Sequence, residues 1–159
     1  MTSAVSIRRA SLEDVGTLVD LRMALERESG HLTQNAMVAD VRRATHQYFL
    51  EALPAEAILV WVAEAQGTMV ATGGLIFFQK PPSERNLTGL EAYILNMYTV
   101  PAWRGQGIAT RLLQTLITSA KQRQAHRIWM YATQDGRPLY ERAGFVPKRR
   151  HTLEMELVW

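Results

Sequence analysis

The sequence contains no cysteine among its 159 residues. This absence excludes disulfide bonds, thiol nucleophiles and cysteine-ligated metals, and it is typical of a protein from a reducing compartment. The four histidines lie far apart in the chain, without the spacing that ligands of one metal ion usually show. We therefore expect a protein that binds no metal.

Long hydrophobic runs are also missing. The longest apolar stretches, such as residues 57–63, are too short to span a bilayer. The first nine residues lack the apolar core of a signal peptide. From these two absences we predict a cytoplasmic protein that does not associate with membranes.

A strong excess of one charge is missing as well. The formal net charge is only +3, and the basic residues do not form a patch interleaved with aromatic ones, so we expect no nucleic-acid partner. Hydrophobic residues make up 47% of the chain and charged residues 21%, which is typical of a folded globular protein. Its length suits one domain, and we predict a single domain over residues 1–159.

Hydrophobic periodicity predicts alternating strands and helices. Because a helix connects the strands at 92–100 and 127–132, these two strands should be roughly parallel. The predicted order is a strand at 5–8, helices from 11 to about 29 and at 36–53, strands at 57–63, 69–78 and 92–100, a helix from 108 to about 124, a strand at 127–132, a short helix at 139–142 and two short strands within 145–158.

A glycine turn at residues 104–109 joins a predicted strand to the start of a predicted helix. Backbone amides without helical partners and the positive end of the helix dipole make such a turn suitable for an anion. A Walker loop would need lysine and then serine or threonine after the second glycine, but Ile108 and Ala109 stand there. A dinucleotide fingerprint would need a third glycine or alanine where Thr110 stands. The turn alone predicts either an anion site or a plain tight turn.

Two segments resemble one family. Residues 96–109, with the amphipathic helix that follows, resemble motif A of the GCN5-related N-acetyltransferases; Arg104, Gly107 and Ala109 fill its Arg-x-x-Gly-x-Gly/Ala pattern. Residues 139–145 resemble motif B, with Tyr140 one turn before a Gly-Phe pair. The resemblance implies an α/β (α+β) fold with a mixed, mostly antiparallel sheet, about four flanking helices, and a parallel strand pair that splays at the cofactor site.

The resemblance also implies that acetyl-coenzyme A is the co-substrate. Its pantetheine would run along the end of the motif A strand, between strands ending at Val100 and Ala132, and the amide of Met97 would polarise the thioester carbonyl. Arg104 would brace the turn or the diphosphate. Thr133 stands where many relatives have an asparagine that bonds the pantetheine. The residues implied to bind the coenzyme are Met97, Tyr98, Thr99, Val100, Arg104, Gly105, Gln106, Gly107, Ile108, Ala109, Thr110, Thr133 and Tyr140.

Two residues are candidates for proton transfer. By the same resemblance, Tyr140 takes the place of the general acid that protonates the departing thiolate. Glu91 is the candidate general base, although the position commonly used in the family falls nearer Tyr93. Glu91 and Tyr93 would share one face of a strand. A solvated glutamate at a strand edge is the alternative for Glu91.

These observations favour an N-acetyltransferase in which a primary amine attacks acetyl-coenzyme A directly within a ternary complex. One alternative is a regulatory or degenerate module that binds coenzyme A without turnover, and another is a plain nucleotide-binding domain. The acceptor, a small molecule or a peptide, stays open. A homodimer is an expectation that rests on the family alone.

Overall fold

The computed structural model describes residues 5–148 and 154–159. Its sheet has the order β1-β2-β3-β4-β5; the first four strands are antiparallel, and β4 and β5 are parallel. This arrangement confirms the predicted mixed, mostly antiparallel sheet. The elements are β1 (Val5–Arg9), α1 (Val15–Glu28), α2 (Val38–Ala52), β2 (Leu59–Ala65), β3 (Thr68–Gln79), β4 (Leu90–Thr99), α3 (Ile108–Gln122), β5 (Arg127–Trp129) and α4 (Arg137–Arg142).

Helices cover both faces of the sheet. Buried residues of α1 and α2 pack with Val60, Val62 and Tyr98 on one face. On the other face, the apolar stripe of α3 packs with Leu75 and Ile94, and Tyr140 of α4 joins the same cluster. Each helix in the described part of the chain is too short or too polar to cross a bilayer.

A bulge interrupts β4 close to the predicted site. Tyr98 pairs with Thr72 and Leu95 pairs with Gly74, so that Asn96 and Met97 together face Gly73 alone. A Cβ at Gly73 would lie 2.6 Å from the Met97 sulfur, which explains why glycine stands there. A bulge of this kind bends the strand and re-aims the neighbouring residues.

The parallel pair of β4 and β5 is short. It contains only three residue pairs, the last of which joins Tyr93 and Trp129, while β4 continues to Thr99. The predicted strand at 127–132 therefore ends three residues early, because its β4 partner diverges and the ladder cannot continue. This opening toward the carboxyl ends is the predicted splay.

The prediction of two strands within residues 145–158 was wrong for the described parts of that stretch. Neither 145–148 nor 154–158 carries a strand. The basic turn predicted between these strands, Lys148-Arg149-Arg150, lies outside the described residues except for Lys148, as do residues 151–153. The alternating apolar pattern of the tail is typical of a strand, but strand hydrogen bonds require a neighbouring strand. Within the described residues, no such partner pairs with the tail.

Candidate active site

The glycine turn leaves open space in front of α3. Gly105 and Gly107 have φ angles of 75° and 76°, a left-handed region that favours glycine, and Gly107 is the N-cap of the helix. A Cβ at either glycine would meet no atom within 4 Å outside its immediate neighbours. The amides of the first helical turn have no intrahelical partner. The turn can therefore take an anionic ligand directly against its backbone.

Arg104 braces this turn. Its Nε donates to the backbone oxygen of Thr99 over 2.9 Å, and its Nη2 lies 2.7 Å from Oε2 of Glu28. The Tyr98 hydroxyl donates to the other oxygen of Glu28 over 2.8 Å, and the Arg104 guanidinium lies 5.5 Å from the centre of the Tyr98 ring. Of the two roles expected for Arg104, these contacts support bracing of the turn. They also tie the last residue of α1 to the end of β4.

A second arginine, which the sequence reasoning missed, holds the bulge. Arg22 Nη1 donates to Oδ1 of Asn96 over 2.5 Å, and Arg22 Nη2 lies 2.8 Å from Oε1 of Glu26. Asn96 has a φ of 55°, which asparagine tolerates better than most side chains. A usable signal was present, since Arg22 interrupts an otherwise apolar face of α1. The bulge next to Met97 is thus fixed from α1.

Tyr140 is buried, with 8% of its surface exposed. Burial raises the pKa of its hydroxyl to about 12, and an electrostatic interaction with Tyr93 contributes to this rise. It lines an open cavity of about 1070 Å³ between the end of β5 and α4, which Trp129 and Tyr131 also line. A phenol with this pKa keeps its proton at neutral pH and can donate it or share it in a hydrogen bond.

Glu91 is 8% exposed and is held by two cations. Lys80 Nζ donates to its Oε2 over 2.9 Å, and Arg127 Nη1 donates to the same oxygen over 3.1 Å. Burial raises the pKa of this carboxyl, but the hydrogen bond from Lys80 and the charge of Arg127 outweigh it and hold the pKa below its usual value. A lower pKa makes Glu91 a weaker proton acceptor.

Thr133 takes part in starting α4. Its Oγ1 accepts a hydrogen bond from the Gly136 amide over 3.1 Å, and its carbonyl accepts one from Arg137 over 2.9 Å. The side chain thus helps to position the helix that carries Tyr140. Over the described ranges, no three histidine, aspartate or glutamate side chains come together as metal ligands.

The structure places the predicted coenzyme residues from Met97 to Thr110 along one continuous path. The strand residues from Met97 to Val100 run from the bulge into the turn that Arg104 braces, and the turn opens onto the first residues of α3. Tyr140 lies on the α3 face of the sheet, in the same buried cluster as Ile94. Glu91 belongs to an ion-pair cluster with Lys80 and Arg127.

Comparisons with solved structures agree with this architecture. A crystal structure of a predicted acetyltransferase from Clostridium acetobutylicum, with acetyl-CoA, is 34% identical, covers 96% of both chains and has a TM-score of 0.85. A GCN5-related N-acetyltransferase from Ralstonia eutropha JMP134 is 26% identical, covers 96% of this chain and 99% of its own, and has a TM-score of 0.82. Glucosamine-6-phosphate N-acetyltransferase from Arabidopsis thaliana, at 17% identity, with coverage of 96% of this chain and 98% of its own and a TM-score of 0.71, shares the fold.

Sequence comparisons give two further results. Comparison with curated proteins finds no match. The sequence model of the acetyltransferase (GNAT) family, however, matches residues 25–145, which include the bulge, the glycine turn and Tyr140. This match spans most of the chain and agrees with the 34% identity to the Clostridium protein. The chain belongs to the GNAT family of acetyltransferases.

Proposed function

We propose that this protein transfers an acetyl group from acetyl-coenzyme A to a primary amine by direct attack in a ternary complex. One observation carries the proposal: at the end of β4, the bulge, the opening between β4 and β5 and the glycine turn before α3 follow one another without interruption. Along this path, the backbone groups at the edge of β4 can bind an extended ligand. The path ends at the glycine turn, where backbone amides can bind an anion. A long ligand with a terminal diphosphate matches both parts.

The coenzyme residues divide into two groups. Amides from Gly105 to Thr110 would bind the diphosphate, and the absence of a Cβ at Gly107 lets it reach the backbone. Main-chain groups of Met97 and Thr99 would bond the pantetheine in the way an added strand does. The crystal structure with acetyl-CoA from the Clostridium relative supports this choice of ligand.

The coenzyme supplies an activated acyl thioester. As the amine nitrogen bonds to the acyl carbon, negative charge grows on the carbonyl oxygen, and the amide of Met97, which lies in the bulge, would stabilise this charge. The carbon–sulfur bond then breaks and the thiolate leaves. Tyr140, which keeps its proton at neutral pH, supplies a proton or a hydrogen bond to that thiolate. Holding both reactants together contributes much of the rate.

The amine must also lose a proton. Glu91 is the carboxylate proposed for this step, but its contacts with Lys80 and Arg127 suit a second role, that of an ion pair that ties β3, β4 and β5 together. The lowered pKa of Glu91 favours the second role. If water takes the proton instead, replacing Glu91 leaves turnover nearly unchanged.

The function is tested by thiol release. Acetyl-coenzyme A is incubated with the protein and a broad panel of primary amines, and free coenzyme A is measured along with the acetylated product by mass spectrometry. We expect release that depends on the amine. Tight coenzyme binding with no amine-dependent release would instead establish the module without turnover.

A further inference from the structure

Four aromatic rings lie together beside the opening of the sheet. Phe78, Tyr93, Trp129 and Tyr131, here called the aromatic patch, have neighbouring ring centres 4.6 to 6.5 Å apart. They come from the ends of three adjacent strands and from the residues just beyond β5. Helices do not cover the patch completely, because Phe78 is 40% exposed and Tyr131 is 62% exposed.

The patch and Tyr140 occupy opposite faces of the sheet. Ile76 and Leu95, which alternate in phase with Phe78 and Tyr93, pack in the cluster of α1 and α2, whereas Tyr140 packs with the α3 cluster. Tyr93 and Trp129 form the last pair before β4 and β5 separate. The two faces therefore meet at this opening, where Trp129 and Tyr131 of the patch line the same cavity as Tyr140. A thioester in the opening would have Tyr140 on one side and the patch on the other.

Charged groups of both signs border the patch. Lys80 and Arg127 share the carboxylate of Glu91, and the Arg127 guanidinium lies 5.3 Å from the centre of the Trp129 ring. The Tyr131 hydroxyl donates to the carboxylate of Glu154, with both oxygens 3.0 Å away. The rings, and not an excess of one charge, therefore determine what the patch prefers, which is a flat apolar group.

We propose that the aromatic patch binds the side chain of the acceptor, and that the acceptor is a primary amine carrying an aryl or similarly flat apolar group. This inference rests on the proposed acetyl transfer. Flat rings pack well on aromatic side chains in offset or edge-on arrangements. The amine, attached through a short linker, would then point toward the opening and the thioester.

The test compares 2-phenylethylamine and n-butylamine in the wild type, Phe78→Ala and Leu87→Ala. Leu87 is the control because it is an apolar side chain, 78% exposed, that belongs to the loop before β4 and not to the patch. Turnover is measured as kcat/KM by thiol release. Binding of each amine is measured separately by ligand-observed NMR in the presence of coenzyme A, and the oligomeric state by sedimentation.

We expect kcat/KM for 2-phenylethylamine to exceed that for n-butylamine by about tenfold or more, the discrimination that a few apolar groups in a pocket provide. Phe78→Ala should reduce the advantage of the aryl amine below about threefold, with coenzyme affinity unchanged and n-butylamine turnover lowered less than that of the aryl amine. Leu87→Ala should behave as the wild type.

The outcomes separate this inference from the proposed function. Acetylation without preference for the aryl amine would leave the function standing and overturn the inference. Binding of 2-phenylethylamine that Phe78→Ala abolishes, with no turnover of any amine, would support the patch as a binding site and overturn the function. Neither binding nor turnover would overturn both. If Phe78→Ala lost a dimer that the wild type forms, with amine selectivity unchanged, the patch would be an interface between two copies of the chain. That result would overturn the inference.

Discussion

Three residues of this site, Gly107, Tyr140 and Glu91, contribute through different physical properties. Gly107 contributes by having no side chain, which leaves the start of α3 open to a ligand. Tyr140 contributes a buried hydroxyl that keeps its proton. Glu91 has a lowered pKa, and two cations bind one of its carboxylate oxygens. These differences lead to distinct expectations for the two side chains that were candidates for proton transfer.

Replacing Tyr140 with phenylalanine should lower kcat by up to about 100-fold, the lower end of general acid catalysis, because coenzyme thiolate is a fairly good leaving group. The affinity for coenzyme A should stay within about twofold, since the rest of the site is intact. Steady-state kinetics and calorimetry measure the two effects. An equal loss in both would assign Tyr140 to coenzyme binding.

The same variant tests the raised pKa of Tyr140. A tyrosine whose pKa is higher in the folded state than in the unfolded chain stabilises the fold fully below about pH 10, and this contribution is lost as pH rises through about 12. Thermal melts between pH 8 and 11 should therefore show a steeper alkaline loss of stability in the wild type than in Tyr140→Phe. Parallel curves would contradict the buried, protonated state.

Glu91→Gln separates the two roles of that carboxylate. If Glu91 serves the ion pair, the substitution should lower the free energy of unfolding near pH 7 by about 1–2 kcal/mol, because the glutamate is buried but its partners are partly exposed. Its depressed pKa means that this contribution is present above the unfolded pKa and is lost as pH falls through the folded one, so the two proteins should converge in acid.

Measurements of kcat test whether Glu91 is the general base instead. As an ion-pair residue, Glu91 can be replaced by glutamine with less than about a threefold change in kcat. A fall of about 100-fold or more, together with the disappearance of the acidic limb of the pH–rate profile and an unchanged melting temperature, would establish Glu91 as the base. Urea unfolding and pH–rate profiles of the two proteins provide both measurements.

At the scale of elements, the sequence predicted most of the sheet and its helices. The apolar stripe of α3, whose residues Leu112, Leu113 and Leu116 are fully buried, has a clear helical period, and the glycine turn marks where the helix begins. These features are local, and local patterns can be read without knowing the neighbours. The order of motif A and motif B then identified the family.

The features that the sequence did not predict depend on distant partners. The length of β5 is set by the divergence of β4, and the pattern of residues 127–132 contains no information about that. The bulge at Asn96 depends on Gly73 in the neighbouring strand and on Arg22 in α1. Such contacts join residues that lie far apart in the chain. Arg22, a polar residue on an apolar face of α1, was the one local feature of the sequence that pointed to this contact.

The bulge leads to a prediction about α1. Replacing Arg22 with methionine keeps an unbranched, flexible stem but removes both its bond to Asn96 and its ion pair with Glu26. We expect kcat to fall by about tenfold, because the Met97 amide loses its fixed position for the carbonyl. The affinity for coenzyme A, which depends on the turn at Gly107, should change little. Arg22→Lys should restore part of the activity.

Arg42→Met is the matched control for this substitution. Arg42 forms a 2.6 Å ion pair with Asp20 between α2 and α1, on a more exposed part of the surface and away from the bulge. It should leave kcat unchanged. If both arginine variants lowered kcat equally, or if Arg22→Met raised the coenzyme dissociation constant as much as it lowered kcat, the positioning role of Arg22 would be wrong.

At the scale of the whole molecule, the two faces of the sheet contribute different parts of the site. The α3 face supplies Tyr140, and α3 begins at the glycine turn, whereas α1 and the aromatic patch occupy the other face. Glu28 connects the two, because it binds both Tyr98 of β4 and Arg104 of the turn. Coenzyme bound along β4 and the turn would therefore contact a region to which both layers are tied.

This arrangement predicts that coenzyme A stabilises the entire fold. At a concentration 100 times its dissociation constant, a ligand of the folded state adds about 2.7 kcal/mol, which corresponds to a rise in Tm of about 5–10 °C for a chain of this size. Gly107→Trp should abolish the rise, because its bulk fills the space in front of the backbone. Gly67→Trp, at an equally open turn with a φ of 73°, controls for backbone strain and should keep the rise. Thermal melts with coenzyme A, ATP and NAD provide the measurement; a rise with ATP or NAD and none with coenzyme A would identify a plain nucleotide-binding domain instead.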